Sequence, residues 1–187
     1  MTTQVQCLLN DHRNLVRLLQ FLREEIAHYD DPNIDTDLHS VLSALDYIST
    51  YTETFHHPLE EAAFDRMELL GIGERAVITR IREQHEELER DTIELKRLLE
   101  MVFDDHIVHA VQIKRVLNNY LDSQFQHIEI EERDIFPAMK QALSDDDWRQ
   151  ISKVVAERSD PLFHSSPSET YAELSRRLGL AELDKAN

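Results

Sequence analysis

Six residues in this chain combine type and spacing in a way that suits metal coordination: His12, His56, Glu60, His85, His127 and Glu131. Neutral imidazole and ionised carboxylate both offer lone pairs to a cation. A histidine at i and a glutamate at i+4 lie on one helix face and can converge on one point. That spacing occurs in His56-x-x-x-Glu60 and in His127-x-x-x-Glu131. Burying such groups without a partner costs several kcal/mol each or forces them to neutralise. Six of them in one core therefore require a cation. Four nitrogens and two bridging carboxylates suit a two-metal site. Mixed nitrogen and oxygen ligands without thiolate favour iron or manganese over a soft-metal site, and leave zinc open.

The elements that must position these residues are helices. Gly (3) and Pro (5) are scarce, so turns are few and elements long. The periodicity predicts four long amphipathic segments: Thr3 to His28, Asp37 to Leu70, Glu74 to Phe103 and His106 to Leu143. Gly71 and Gly73 end the second. Short connections favour antiparallel neighbours, so the expected fold is all-α, an up-down four-helix bundle. Two shorter C-terminal helices are expected to pack outside it, one capped at Ser144 and reaching about Arg158, the other opened by Ser166-Pro167-Ser168-Glu169. Residues 1–143 form the expected bundle and 144–187 an extension of the same domain.

Each apolar stripe turns polar once. His12 follows Leu8 and precedes Leu15 and Leu19; His85 lies between Ile81 and Leu88. In the second helix, Leu38, Leu42, Leu45, Ser49 and Thr52 lead to His56, with Ala63 beyond. In the fourth, Ile113, Leu117, Tyr120 and Gln124 lead to His127 and Glu131, with Ala138 beyond. Tyr120 and Gln124 read as hydrogen-bonding partners around the ligands. His57 and Glu61 share the i, i+4 spacing, and Pro58 can kink the helix. Counting back by sevens selects His56 and Glu60, because Ser49 and Leu42 suit an inward face better than Thr50 and Ser43. His28, His39, His57, His106, His109 and His164 are expected at the surface.

Composition bounds the function. The net charge of −17 opposes binding to nucleic acid or anionic membranes. No apolar run approaches the ~20 residues of a membrane span. The N-terminus lacks the basic-then-apolar order of a signal peptide. Cys7 is the single cysteine, so no intrachain disulfide forms. A cytoplasmic location is the expectation.

Asp11-His12-Arg13-Asn14-Leu15, Phe55-His56-His57-Pro58-Leu59-Glu60-Glu61, Gln84-His85-Glu86-Glu87-Leu88 and His127 through Phe136-Pro137 together resemble the hemerythrin-like (HHE cation-binding) family. Asp146-Asp147-Trp148 and Ser159-Asp160-Pro161-Leu162-Phe163 are also similar to its bacterial members. The resemblance implies a di-iron centre, oxo- or hydroxo-bridged, on His12, His56, Glu60, His85, His127 and Glu131, with Glu60 and Glu131 bridging. It implies binding or sensing of O2 or NO, or a response to redox state. The alternative is a di-iron enzyme reducing peroxide or NO, or an iron-handling or repair protein. Oxygen-carrying hemerythrins use a fifth histidine where this chain has Glu89. Repair proteins share the four-His, two-Glu set and add an N-terminal cysteine-bearing domain, whereas the single cysteine here is Cys7. A ferritin-like oxidase would want Glu-x-x-His twice; Glu53-x-x-His56 supplies one, and Gln124 stands where the second Glu should be.

Overall fold

The structure is a computed structural model that describes residues 4–34, 36–153, 155, 159–163 and 167–180. The described residues are helical with no strand. The first bundle helix is α1, Gln4–Ala27. The second is compound: α2, Leu38–Tyr51, a π-helical turn, Thr52–His56, and α3, His57–Leu69. The third is α4, Arg75–Phe103. The fourth is again compound: α5, Ala110–Ile130, a π turn, Glu131–Ile135, and α6, Phe136–Ala142. The helices pack as a ring: α1 on α2, α2 and α3 on α4, α4 on α5, and α5 back on α1.

Local chemistry sets the ends. Asp37 caps α2 by accepting from the Ser40 N–H at 3.1 Å. After α3, Gly71 takes φ 67°, and Ile72 N bonds Met67 O while Gly71 N bonds Glu68 O. This doubly bonded C-cap needs a left-handed residue that glycine supplies without strain. The fourth helix starts at Ala110 rather than His106. Asp105 adopts the same left-handed cap after α4, with φ 58°, and the chain stays extended at His109.

The π turns are the main departure from the sequence reading. Each contains an i→i+5 bond, His57 N to Thr52 O and Phe136 N to Glu131 O. One residue after each turn comes a proline, Pro58 and Pro137. Proline has no N–H to bond four residues back and its ring crowds that carbonyl, so the wider turn relieves both. The extra residue moves the inward face by one position. Upstream of the first turn the buried residues are Val41, Ala44, Leu45, Ile48 and Tyr51, whereas Leu38, Leu42 and Ser49 are only half-buried. Tyr51 then hands the inward face to His56, five residues on. Likewise Glu131 leads to Phe136 and fully buried Met139, and Ala138 is half-buried.

The C-terminal elements join the core. α7, Asp145–Ile151, begins with a capping box between Ser144 and Asp147 and packs on α3. It ends at Ile151, and Arg158, its expected limit, lies outside the described residues. Leu162, Tyr171 and Leu174 are buried against the helices of the bundle, the last two around α8, Ala172–Arg177. That helix opens with a 3-10 turn, Glu169–Tyr171; Ser166, its expected cap, lies outside the described residues.

Candidate metal centre

The site is built by the four bundle helices at one level. His12 comes from α1, His56 from the end of the first π turn, Glu60 from α3, His85 from α4 and His127 from α5. Glu131 starts the second π turn. Two apolar clusters, one around Leu19, Leu45 and Leu117 and one around Phe64, Ile81 and Met139, flank this level. All six side chains are buried, and Glu60 and Glu131 have 0% exposure. Phe136 stacks on the His12 ring at 4.8 Å.

The two carboxylates lie between two pairs of histidines. Glu60 Oε1 is 3.4 Å from His56 Nε2, and its Oε2 is 3.5 Å from His85 Nε2. Glu131 Oε1 is 3.4 Å from His85 Nε2, while its Oε2 is 3.2 Å from His12 Nε2 and 3.3 Å from His127 Nε2. Nε2 of His12 and Nε2 of His56 are 3.2 Å apart. Two donors about 2.1 Å from one ion and at right angles sit about 3 Å apart. Despite this crowding, both oxygens of Glu60, Oε2 of Glu131 and Nε2 of His127 make no hydrogen bond. Buried polar atoms are nearly always paired. Four unpaired atoms converging on one point fit a cation.

The outward nitrogens are held by a second set of residues that sequence reasoning missed. His56 Nδ1 is 3.3 Å from Asp11 Oδ2, and Asp11 also accepts from the Tyr51 hydroxyl at 3.0 Å. His85 Nδ1 is 3.3 Å from Glu61 Oε1, His127 Nδ1 is 3.3 Å from Gln84 Oε1, and His12 Nδ1 is 3.1 Å from Glu132 Oε1. A carboxylate only accepts, so each Nδ1 facing one carries the proton and each Nε2 presents its lone pair inward. The four contacts close a ring. Each helix supplies the acceptor for the next helix's histidine, and the fourth serves the first. The signal in the sequence was adjacency, since Asp11, Glu61, Gln84 and Glu132 each neighbour one of the six residues. Arg82 extends the ring by donating to Glu61 at 2.7 Å, Asp65 at 2.6 Å and Glu68 at 3.1 Å.

Electrostatics shows what this cluster does without a cation. Burial first, then the charges of Glu131, Asp11 and Glu61, pushes the Glu60 carboxyl well above its ordinary range. Burial would raise Glu131 too, but the charge of His127 and the close approach of the His12 and His85 rings hold it well below. Burial would lower His12, yet its contacts with Glu131 and Glu132 raise it to about 9. Burial drops His127 to about 4. Protons on Glu60 and His12 thus supply part of the positive charge that the buried cluster demands.

His57 is not the surface residue expected. Its side chain is 16% exposed, it stacks on the His85 ring at 3.9 Å, and burial first, then His85, His56 and His127, depresses its protonation strongly. It borders an open cleft of about 240 Å³ with Glu53, Glu61, Arg82, Glu86 and Glu89. His28, His39, His106 and His109 are exposed as expected, and His164 lies outside the described residues. Tyr120 and Gln124 bond each other at 2.9 Å, and Tyr120 pairs with Thr92 at 3.1 Å, so they brace α4 against α5 below the site. Grouped by distance, ligand-type atoms of His12, His56, Glu60 and Glu131 all lie within 4.8 Å of one another, as do those of His57, His85 and His127.

An all-α bundle with a buried His/Glu group able to hold a metal defines the class of protein. Residues 3–139 match the family model described as the hemerythrin HHE cation binding domain, and the chain belongs to that family. No curated protein and no solved structure matches the chain.

Proposed function

We propose that His12, His56, Glu60, His85, His127 and Glu131 hold a pair of iron ions, oxo- or hydroxo-bridged. We propose further that the protein, cytoplasmic, uses them to bind or sense O2 or NO or to respond to redox state. The observation that carries the reading is the convergence of four Nε2 atoms on two fully buried carboxylates, of whose four oxygens three make no hydrogen bond. An iron pair supplies reversible binding of small oxidants and one-electron chemistry. The chain does the rest. Its imidazoles point their lone pairs inward because Asp11, Glu61, Gln84 and Glu132 hold Nδ1. Glu60 and Glu131 each reach both histidine pairs, which ties the two halves together. The apolar clusters above and below exclude water and so strengthen each interaction at the centre. The cleft beside His85 and His57 is wide enough for a diatomic molecule or peroxide to approach. The surface charge of −17 leaves phosphate backbones and anionic membranes unsuited as partners, and no described helix is long and apolar enough to cross a membrane.

The test is anaerobic reconstitution with iron, then metal analysis and optical spectra with O2, NO and peroxide. About two irons per chain and a reversible spectral change with O2 or NO are expected. No bound metal after loading would end the proposal. Sustained turnover of peroxide or NO by the reduced protein would replace the binding reading with an enzymatic one. Manganese and zinc are expected to occupy the same site when supplied alone.

A further inference from the structure

We infer that His57 is a further metal ligand, the third nitrogen beside His85 and His127; the inference rests on the two-metal reading above. Three observations carry it. First, His57, His85 and His127 each present a ligand-type atom within 4.8 Å of the others, in a group separate from that of His12 and His56. Second, Glu60 and Glu131 reach into both groups. Glu60 Oε2 and Glu131 Oε1 stand 3.5 Å and 3.4 Å from His85, and Glu131 Oε2 stands 3.3 Å from His127. One half of the centre then has two nitrogens and two carboxylates, and the other has three nitrogens and the same two carboxylates. Third, Nδ1 of His57 faces Glu53 Oε1 at 3.9 Å, a longer version of the contact that each of the other four imidazoles makes behind its donor nitrogen. That leaves Nε2 of His57 to donate.

The backbone explains how two adjacent residues serve one centre. In an α-helix His56 and His57 would diverge by about 100°. The π turn ends at His56, and the His57 N–H closes its i→i+5 bond to Thr52 O. His56 is buried on the His12 side, 5.0 Å from that ring, while His57 lies 3.9 Å from His85 and 6.4 Å from His127. The fifth nitrogen thus enters from the second helix, and Glu89 on the third is exposed at the cleft.

The experiment titrates Co(II) into the full chain and its variants and reads visible absorption and chelator competition. Wild type is expected to bind two equivalents. His57→Ala should bind one at wild-type affinity and the other at least tenfold more weakly, with a stronger visible band for the weakened ion as its coordination number falls. Added imidazole should reverse the band. His12→Ala should weaken the other equivalent and leave the one beside His57, His85 and His127 intact. His57→Gln, which keeps the volume, should behave as His57→Ala. In the Zn(II)-loaded wild type, the 15N shift of His57 Nε2 should be that of a metal-bound nitrogen, a reading that needs no variant. Two tight equivalents with an unchanged spectrum in both His57 variants, or an unbound 15N shift, overturns the inference and spares the two-metal reading. A wild type that takes up no metal overturns that reading itself.

Discussion

Gln84 Oε1 stands 3.3 Å from His127 Nδ1 and is the neutral member of a ring whose other three acceptors, Asp11, Glu61 and Glu132, are carboxylates. A carboxylate behind an imidazole raises the basicity of the donor nitrogen, and an amide does so less. His127 is therefore the weakest-held donor of the set. Gln84→Glu should tighten metal binding, whereas Gln84→Ala should lower affinity by about 10–100-fold. Asp11→Ala should cost at least as much, because it also removes the carboxylate to which the Tyr51 hydroxyl donates. Chelator competition on the three variants checks the order; equal affinities would mean that these contacts do not orient the donors.

His127→Ala and Glu131→Ala should lose metal, and His109→Ala should not. All three are at or near the fourth helix, but His109 is exposed ahead of α5 and its side chain makes no cap hydrogen bond. Iron analysis after identical loading reads the contrast. Equal iron in all three variants would remove the basis for placing the metals among the inward residues.

The stripes made much of this legible. Ile78, Ile81, His85, Leu88, Leu95 and Leu99 are all buried, because α4 is unbroken and a constant period holds along it. In the second and fourth helices the same counting fails by one residue across each π turn. His56 is buried, but the stripe leading to it runs through Ile48 and Tyr51 rather than Leu42 and Ser49. Prolines at 58 and 137 were visible, yet a proline predicts a kink as readily as a π turn. Nothing in the stripes marks Asp11 or Glu61 as the partner of a histidine, because those histidines lie on other helices and no local pattern encodes the contact. His57 was misplaced for the same reason, since its nearest ring belongs to α4.

Tyr120→Phe should destabilise the fold without altering metal content. Thr92 Oγ1 spends its hydrogen on Leu88 O at 2.7 Å, so the Tyr120 hydroxyl donates to Thr92 and accepts from Gln124. Burial raises this phenol to about 12, and it stays protonated as a donor. Removing it takes the acceptor from the buried Gln124 amide and one of the two partners from the Thr92 hydroxyl, at a cost of about 1–3 kcal/mol. Thermal unfolding should show a Tm lower by several degrees with iron per chain unchanged. Loss of iron would tie this trio to the metals instead.

Asp147 should make part of the stability acid-sensitive. Hydrogen bonds from the Ser144 hydroxyl at 2.6 Å and N–H at 2.8 Å, then Arg66 at 2.6 Å, hold its carboxyl down at about 2 against an ordinary 3.8. The folded pKa is depressed, so the contribution is whole above pH 3.8 and fades as pH falls to about 2. Asp147→Asn should unfold at lower denaturant than wild type at pH 6, and the gap should close towards pH 2. A gap that persists at pH 2 would show that the charge is not its source.

The π turns make a prediction about chain length. Tyr51 and His56 are five residues apart yet both are buried, because the turn Thr52–His56 holds one residue more than an α-helical turn. Deleting exposed Thr54 would convert it to an α turn and bring Tyr51 and His56 to a spacing of four, still on one face. Deleting equally exposed Glu94 from unbroken α4 has no such outlet. It rotates Leu95 and Leu99 by about 100° relative to His85, so that either the core or the metal donor must turn outward. The Thr54 deletion should therefore fold and retain most of its iron, and the Glu94 deletion should lose iron and cooperative unfolding. Unfolding curves and iron analysis on the two deletions decide it. If both are equally damaged, the π turn is not an added residue but a geometry the centre requires.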